Sequence, residues 1–279
     1  MSWPTVSTRC VDRSKAEAPS GQPADARSLG GLPSPQLETR LKQGSVDVLI
    51  PLGALEQHGP HLPLATDTII ANAVAEVVSE RLPDLVSAPC LPIGCSDHHL
   101  SFAGTASIPK EVASRYLLAV IRTLQGHGFR HAYVFSGHAG NISAMNQMTE
   151  SLDPAIRRRV AVSVDWPDQR RALHEWAESE LGMTPERVGS HAGHFETSIM
   201  LYLRPDLVDM DAAPEGFIGS SLEASERLGR DGMRSVSSVG VIGDARSATP
   251  AAGAGYLEVL VSSLASLIHD HRAGTEEVG

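Results

Sequence analysis

The chain has 279 residues and a formal net charge of -10, from 23 Lys and Arg against 33 Asp and Glu. That balance argues against a nucleic-acid partner, which needs clustered cations, and the three cysteines, Cys10, Cys90 and Cys95, are too few for a disulfide framework. With no run of about 18 apolar residues and no export signal, the expectation is a cytoplasmic protein with no membrane partner, long enough to bury a sizeable core.

Residues 1–33 are rich in Ser, Pro, Ala, Gly and Arg without an apolar period, and such a segment cannot offset its ordering entropy. The expected organisation is a disordered arm over 1–33, one domain over 34–273 and a flexible tail over 274–279. A short helix from Pro35 to about Gln43 leads to an apolar, β-branched run near Val46–Leu52 that reads as a buried strand. The chain then changes character. Glu56, His58, His61 and Asp67 follow within a dozen or so residues, between Gly53, Gly59, Pro60 and Pro63, so a loop of fixed path carries carboxylates and imidazoles. Divalent cations take that mixture of oxygen and nitrogen, and the carboxyl ends of strands in an open α/β sheet are where ligands bind.

After Asp67, Ile70, Val74, Val77, Val78 and Leu82 keep helical spacing until Pro83. Asp67 therefore lies at a helix N-terminus, where an N-cap is its ordinary role. A strand at Leu85–Ala88 opens a long loop containing His98 and His99; one of the pair is expected to contact substrate and the other to be structural. A helix from Pro109 to Gly126 precedes a strand at His131–Phe135, which runs into Ser136-Gly-His-Ala-Gly-Asn and a helix through Met145, Met148 and Leu152. His138 thus repeats the logic of Glu56 and His58, at a second strand end in the same sheet. An apolar run at 159–164 ends at Asp165 and Trp166, and Gln169–Leu181 reads as an amphipathic helix. His191 and His194 stand just before or at the start of a helix that runs to Pro205, with Glu196 in its first turn. Residues 208–238 read as loop, Val239 onwards as a strand and turn, and residues 251–271 as a last helix.

The segments Leu-Gly-Ala-Leu-Glu-Gln-His-Gly-Pro-His-Leu-Pro with Thr-Asp-Thr, Ser-Gly-His-Ala-Gly-Asn, and His-Ala-Gly-His-Phe-Glu-Thr-Ser resemble, in this order, the creatininase (creatinine amidohydrolase) family over roughly residues 35–270. The resemblance implies a three-layer α/β/α sandwich with a mostly parallel central sheet. It implies two divalent ions per chain, zinc or manganese with iron as a further option, a small-molecule amide substrate, and homo-oligomers that include hexamers. It places Glu56, His58, Asp67 and His138 as metal ligands, with Asp67 bridging, and His191 as proton donor. Creatinine-cleaving members carry a ligand glutamate where this chain has Gly140 and a tryptophan where it has Arg187; Trp166 lies one position from a second active-site tryptophan. Glu196 is therefore expected to supply the missing carboxylate, and creatinine to be a poor substrate. His99, Ser136, Trp166 and His194 complete the set as substrate contacts, though Ser136 lacks the Gly-x-Ser-x-Gly surroundings of a nucleophile.

The chemistry these ligands imply is hydrolysis of a non-peptide or cyclic amide C–N bond by a metal-activated hydroxide, with an imidazole protonating the leaving nitrogen. Three alternatives stand beside it. They are a peptidase acting on a short precursor peptide, as in mycofactocin maturation, a formamide deformylase, and a metal-binding scaffold without catalysis.

Overall fold

Four apolar runs pair side by side as β1 (Asp47–Leu52), β2 (Leu85–Ser87), β3 (Ala132–Ser136) and β4 (Val160–Val162), in the order β2-β1-β3-β4 and parallel throughout. This computed structural model describes residues 27–44, 46–163 and 166–276, the side chains of residues 166, 167, 221 and 276 excepted. β1 and β3 are buried at every position, as a parallel sheet covered on both faces requires. Their alternation sends Leu49, Tyr133 and Phe135 to one face and Val48, Ile50, Leu52 and Val134 to the other.

The helices are α1 (Ser34–Gln43), α2 (Thr66–Arg81), α3 (Lys110–Gly126), α4 (Ile142–Glu150), α5 (Pro154–Arg157), α6 (Trp166–Leu181), α7 (Pro185–Val188), α8 (His194–Leu203), α9 (Ser221–Asp231), α10 (Met233–Val236) and α11 (Pro250–Glu276). On the Leu49 face pack Ile70, Val74 and Val78 of α2, Phe195 and Ile199 of α8, and Tyr256, Leu260, Leu264 and Ile268 of α11. The opposite face takes Leu37 and Leu41 of α1, Leu117 and Ile121 of α3, and Met145 and Met148 of α4. This is the expected α/β/α sandwich. By length and composition α11 could cross a bilayer, although polar and charged residues interrupt its apolar run. Its apolar residues face the core while Glu258, Ser262, Ser266 and Asp270 face outward, so it is the amphipathic core helix of this domain.

Elsewhere the boundaries move. Of the expected arm, residues 1–26 lie outside the described residues, but its end is ordered: Ser28 bridges Ser87, whose N–H donates to the Arg27 carbonyl at 2.8 Å. The expected tail begins inside α11, where Thr275 Oγ1 donates to the His271 and Arg272 carbonyls; residues 277–279 lie outside the described residues. Residues 208–238 are not all loop. They form α9, capped by Ser220 accepting from the Glu223 N–H, and α10, and bury Ala224, Met233 and Val236 against Phe102 and Phe217. The segment from Val239 is no strand; Ile242 makes single bridges to His191 and Phe217.

Register places the site. Leu52 pairs with Ser136, so β1 and β3 end side by side, and the Gly137 N–H donates to the Leu52 carbonyl at 2.9 Å. A Cβ on Gly137 would stand 2.7 Å from the Asp67 carbonyl, so only glycine lets this turn approach the start of α2 so closely.

Candidate metal centre

Three stretches converge beyond these strand ends. The loop after β1 carries Glu56, Gln57 and His58, the first turn of α2 carries Asp67, and the turn after β3 carries His138. A fourth comes from the other side of the core: Gly189–His194 enters α8 and brings His191 and Glu196. Ile242 holds it by its main chain, accepting from the Ser190 N–H at 3.1 Å and donating to the His191 carbonyl at 2.8 Å. Between them Ala192 has φ +51°, the left-handed region that L-residues avoid. That conformation aims its N–H at Glu196 Oε2, 2.5 Å away. Backbone strain of this kind persists where the surroundings over-determine it.

The six predicted chemical residues, Glu56, His58, Asp67, His138, His191 and Glu196, are all buried and adjacent. His58 Nε2 lies 3.1 Å from Asp67 Oδ1 and 3.8 Å from Glu196 Oε2. His138 Nδ1 lies 3.3 Å from Asp67 Oδ2, and its Nε2 3.3 Å from Glu56 Oε2. His191 Nδ1 lies 3.5 Å from Glu56 Oε1. Asp67 is the second residue of α2, and the helix is not capped by a side chain; its carboxylate is turned to the two histidines instead.

The hydrogen bonds fix which ring nitrogen carries the proton. His58 Nδ1 faces the Glu56 carbonyl at 3.1 Å, His138 Nε2 the Cys95 carbonyl at 3.1 Å, and His191 Nε2 the Gln57 carbonyl at 2.8 Å. A carbonyl only accepts, so each of these nitrogens is N–H, and in the neutral ring the other nitrogen presents a lone pair. Those lone pairs, on His58 Nε2, His138 Nδ1 and His191 Nδ1, point at carboxylates. Lone pair against carboxylate is repulsive unless a second ring proton or a metal cation lies between. Both oxygens of Glu56 and Oδ2 of Asp67 are buried with no hydrogen-bond partner, an arrangement that otherwise costs free energy.

Charge tells the same story. Burial, with Asp67 and Glu56 nearby, pushes the Glu196 carboxyl up to about 8. Burial alone would lower His58, but Asp67, Glu196 and Glu56 push it up to about 10. Three carboxylates this close draw in positive charge, and the donor set can hold a cation in place of protons. Ligand atoms within 4.8 Å of one another are offered by Glu56, His58 and Asp67, by His58, His191 and Glu196, by Glu56, His98 and His138, and by Glu56, His99 and His191. Carboxylate oxygen with imidazole nitrogen suits zinc or manganese, and a backbone carbonyl behind each imidazole is the usual support of a metal-binding histidine.

The remaining predicted residues separate. His99 is in the cluster, with Nε2 3.5 Å from Glu56 Oε1. Ser136 lies beside it, but its hydroxyl donates to the His138 carbonyl and accepts from the His138 N–H and Asn141 Nδ2, so it builds the turn. His194 is not brought to the cluster; its ring is bonded to Tyr256 Oη at 2.9 Å and the Ser247 carbonyl at 3.2 Å. Trp166 opens α6, and its side chain lies outside the described residues. His98, left between two roles by the sequence, stacks on His138 at 5.7 Å between ring centroids. Two further residues emerge only here. Asn141 joins three segments, accepting from the Cys95 N–H and donating to the Gly53 carbonyl and Ser136. Gln57 touches His99, His191 and Gly240. Neither bears a charge to mark it, though Gln57 stands between two predicted ligands.

Comparison with known proteins bears on what the centre does. The family profile described as creatininase, creatinine amidohydrolase, matches residues 31–268. The mycofactocin precursor peptide peptidase of Mycobacterium ulcerans (strain Agy99) is 36% identical over 229 residues, 79% of this chain and 84% of that protein. The creatinine amidohydrolase of Pseudomonas putida is 33% identical over 200 residues, 66% of this chain and 74% of that protein. Among solved structures, one described as "Creatininase Mn" superposes with a TM-score of 0.71 at 25% identity, covering 88% of this chain and 98% of its own.

Proposed function

This chain belongs to the creatininase family of hydrolases, and we propose that it is an amidohydrolase working with two divalent ions, zinc or manganese, held by Glu56, His58, Asp67, His138 and Glu196. The observation that carries this reading is that His138 Nδ1 and His191 Nδ1, lone pairs in the neutral rings, face Asp67 Oδ2 and Glu56 Oε1, buried oxygens that have no hydrogen-bond partner. When bound, such ions polarise an amide carbonyl and make water a nucleophile near neutral pH.

The chain's own residues position and move the proton. His191 keeps Nε2–H on the Gln57 carbonyl, so its ring is held while Nδ1 faces the reaction space. Nδ1 takes the proton released by the attacking water and returns it to the leaving nitrogen. Burial and the neighbouring His58 and His99 hold this imidazole well below its ordinary value, so the acquired proton is given up readily. The burial of Glu56, Asp67 and Glu196 keeps competing solvent from the site.

The substrate is an amide other than creatinine. A Cβ on Gly140 would stand 2.2 Å from His138 Nε2 and 2.3 Å from the Cys95 carbonyl, so this turn has no space for the glutamate of creatinine-cleaving members. Arg187, at the place of their tryptophan, is engaged by Asp244 at 2.6 Å. The leading class is a cyclic or otherwise non-peptide amide. The amide at the end of a short precursor peptide is the second reading, favoured by the longer match to the mycofactocin precursor peptide peptidase than to the creatinine amidohydrolase.

A panel assay separates them: metal-loaded protein against creatinine, other cyclic amides, formamides and short peptides. Turnover of a non-peptide amide at kcat/KM of about 10⁴ M⁻¹s⁻¹ or more, with creatinine far below it, supports the first reading. Cleavage of peptides alone selects the second, and efficient creatinine turnover overturns the argument from Gly140 and Arg187. A protein inert to the whole panel that holds a protein partner tightly is a scaffold.

A further inference from the structure

Gln57 stands between Glu56 and His58, and both ends of its side-chain amide are committed. Oε1 accepts from the Gly59 N–H at 3.0 Å, and Nε2 donates to the Gly240 carbonyl at 3.1 Å. An N–H only donates and a carbonyl only accepts, so these two backbone groups determine which way the amide faces. Gly240, at φ +77°, closes on it so tightly that a Cβ there would stand 1.9 Å from Gln57 Oε1.

One amide hydrogen is left, and two nitrogens lie within its reach. His191 Nε2, at 2.9 Å, cannot accept it, because that nitrogen already donates to the Gln57 main-chain carbonyl. His99 Nδ1, at 2.8 Å, takes it. A ring nitrogen that accepts carries no proton, so neutral His99 carries its proton on Nε2, the atom that faces Glu56 Oε1 at 3.5 Å. By position alone His99 could join Glu56 and His191 around a cation. With a proton on Nε2 it has no lone pair to offer there.

We propose that Gln57 is a positioning residue that locks His99 in the Nε2–H tautomer, which turns this ring's proton toward Glu56 and keeps the ring outside the metal-ligand set. One residue thereby sets two rings differently. Its main-chain carbonyl leaves a lone pair on His191 Nδ1, and its side chain puts a proton on His99 Nε2, both against the same Glu56 oxygen. The proton on His99 Nε2 faces the Glu56 carboxylate from outside the ligand set, where outer partners steady metal ligands elsewhere. The statement about ligands rests on the two-ion reading above; the tautomer does not.

The test is long-range ¹H–¹⁵N spectroscopy of the zinc-loaded, full-length chain labelled at its histidine ring nitrogens. The His99 signals are assigned by their loss in His99→Gln. The expected result is a proton on Nε2, an unprotonated hydrogen-bonded Nδ1, and no zinc-bound shift at either nitrogen. In Gln57→Glu the amide donor becomes an acceptor, and Nδ1 should gain a proton. A wild-type His99 protonated at Nδ1, or bound to zinc through Nε2, overturns the proposal, as does an unchanged tautomer in Gln57→Glu. Should that variant fail to fold, the wild-type spectrum decides. Zinc stoichiometry from elemental analysis of the same sample reports separately on the two-ion reading.

Discussion

Glu196 is the residue on which the ligand count turns. Its Oε2 accepts from the Ala192 N–H and lies 3.8 Å from His58 Nε2, and burial pushes its carboxyl up to about 8, so a positive partner is needed to keep it ionised. A glutamate serving only the helix dipole would contribute about 0.3 to 1 kcal/mol and leave metal binding untouched. Glu196→Gln is expected to weaken one ion roughly tenfold or more and suppress turnover, with thermal unfolding nearly unchanged; isothermal titration with zinc reads the affinity. Full affinity for both ions would remove Glu196 from the ligand set. His191 is expected to behave otherwise, because a proton carrier acts on the transition state rather than on the resting centre. His191→Ala should keep its metal by elemental analysis and lose about 10²- to 10⁴-fold in kcat. Depleted metal in that variant would make His191 Nδ1, which lies in range of His58 and Glu196, a ligand.

At the scale of elements, the turn between β3 and α4 does its work through the absence of a side chain. Gly140 is packed against His138 Nε2 and the Cys95 carbonyl, the two partners whose hydrogen bond points His138 Nδ1 at Asp67. Gly140→Ala should therefore push His138 off its support, costing about 1 to 3 kcal/mol by overpacking and lowering metal affinity by a similar route. Denaturant unfolding and zinc titration on the same variant check both. Unaltered metal binding would show that this turn yields without moving its histidine. Strand-turn-helix units of this kind were legible from the residues, because an apolar run, a glycine turn and a helical period each leave a local mark. The α9–α10 hairpin was not. α9 is largely polar and becomes a helix because Ala224 and the adjoining α10 find Phe217 and, from far away in sequence, Phe102.

For the molecule as a whole, the far end of the sheet is held by a different charged group. Asp47, fully buried at the start of β1, accepts from Arg130 at 3.0 Å twice, from the His131 N–H at 3.2 Å and from Arg272 of α11 at 2.8 Å. Burial alone would raise its pKa, but the bonds from His131 and Arg130 and the charge of Arg272 hold it well below the usual carboxylate range. A depressed folded pKa contributes stability above the unfolded value, about 3.9, and loses it as pH falls through the folded value. Asp47→Asn is thus expected to cost about 3 kcal/mol at pH 7, the gap to wild type narrowing below about pH 4, with metal content unaffected. Urea unfolding between pH 3 and 7 measures it. A gap independent of pH would mean the carboxylate's charge is not what ties α11 to the sheet.

The sequence by itself determined the α/β class and set Glu56, His58, Asp67, His138, His191 and Glu196 beside strand ends or helix starts that period and glycine reveal, while the roles expected of them came from the family resemblance. Only the tertiary structure decided what lies next to what. The pairing of Leu52 with Ser136 brings two strand ends together, and Ile242 pins the His191 segment across them. It left His194 with Tyr256 and Ser136 within its own turn. It also gave Gln57 its role, because a neutral amide acquires direction only from the backbone groups and rings that surround it, and those come from residues up to 183 positions away.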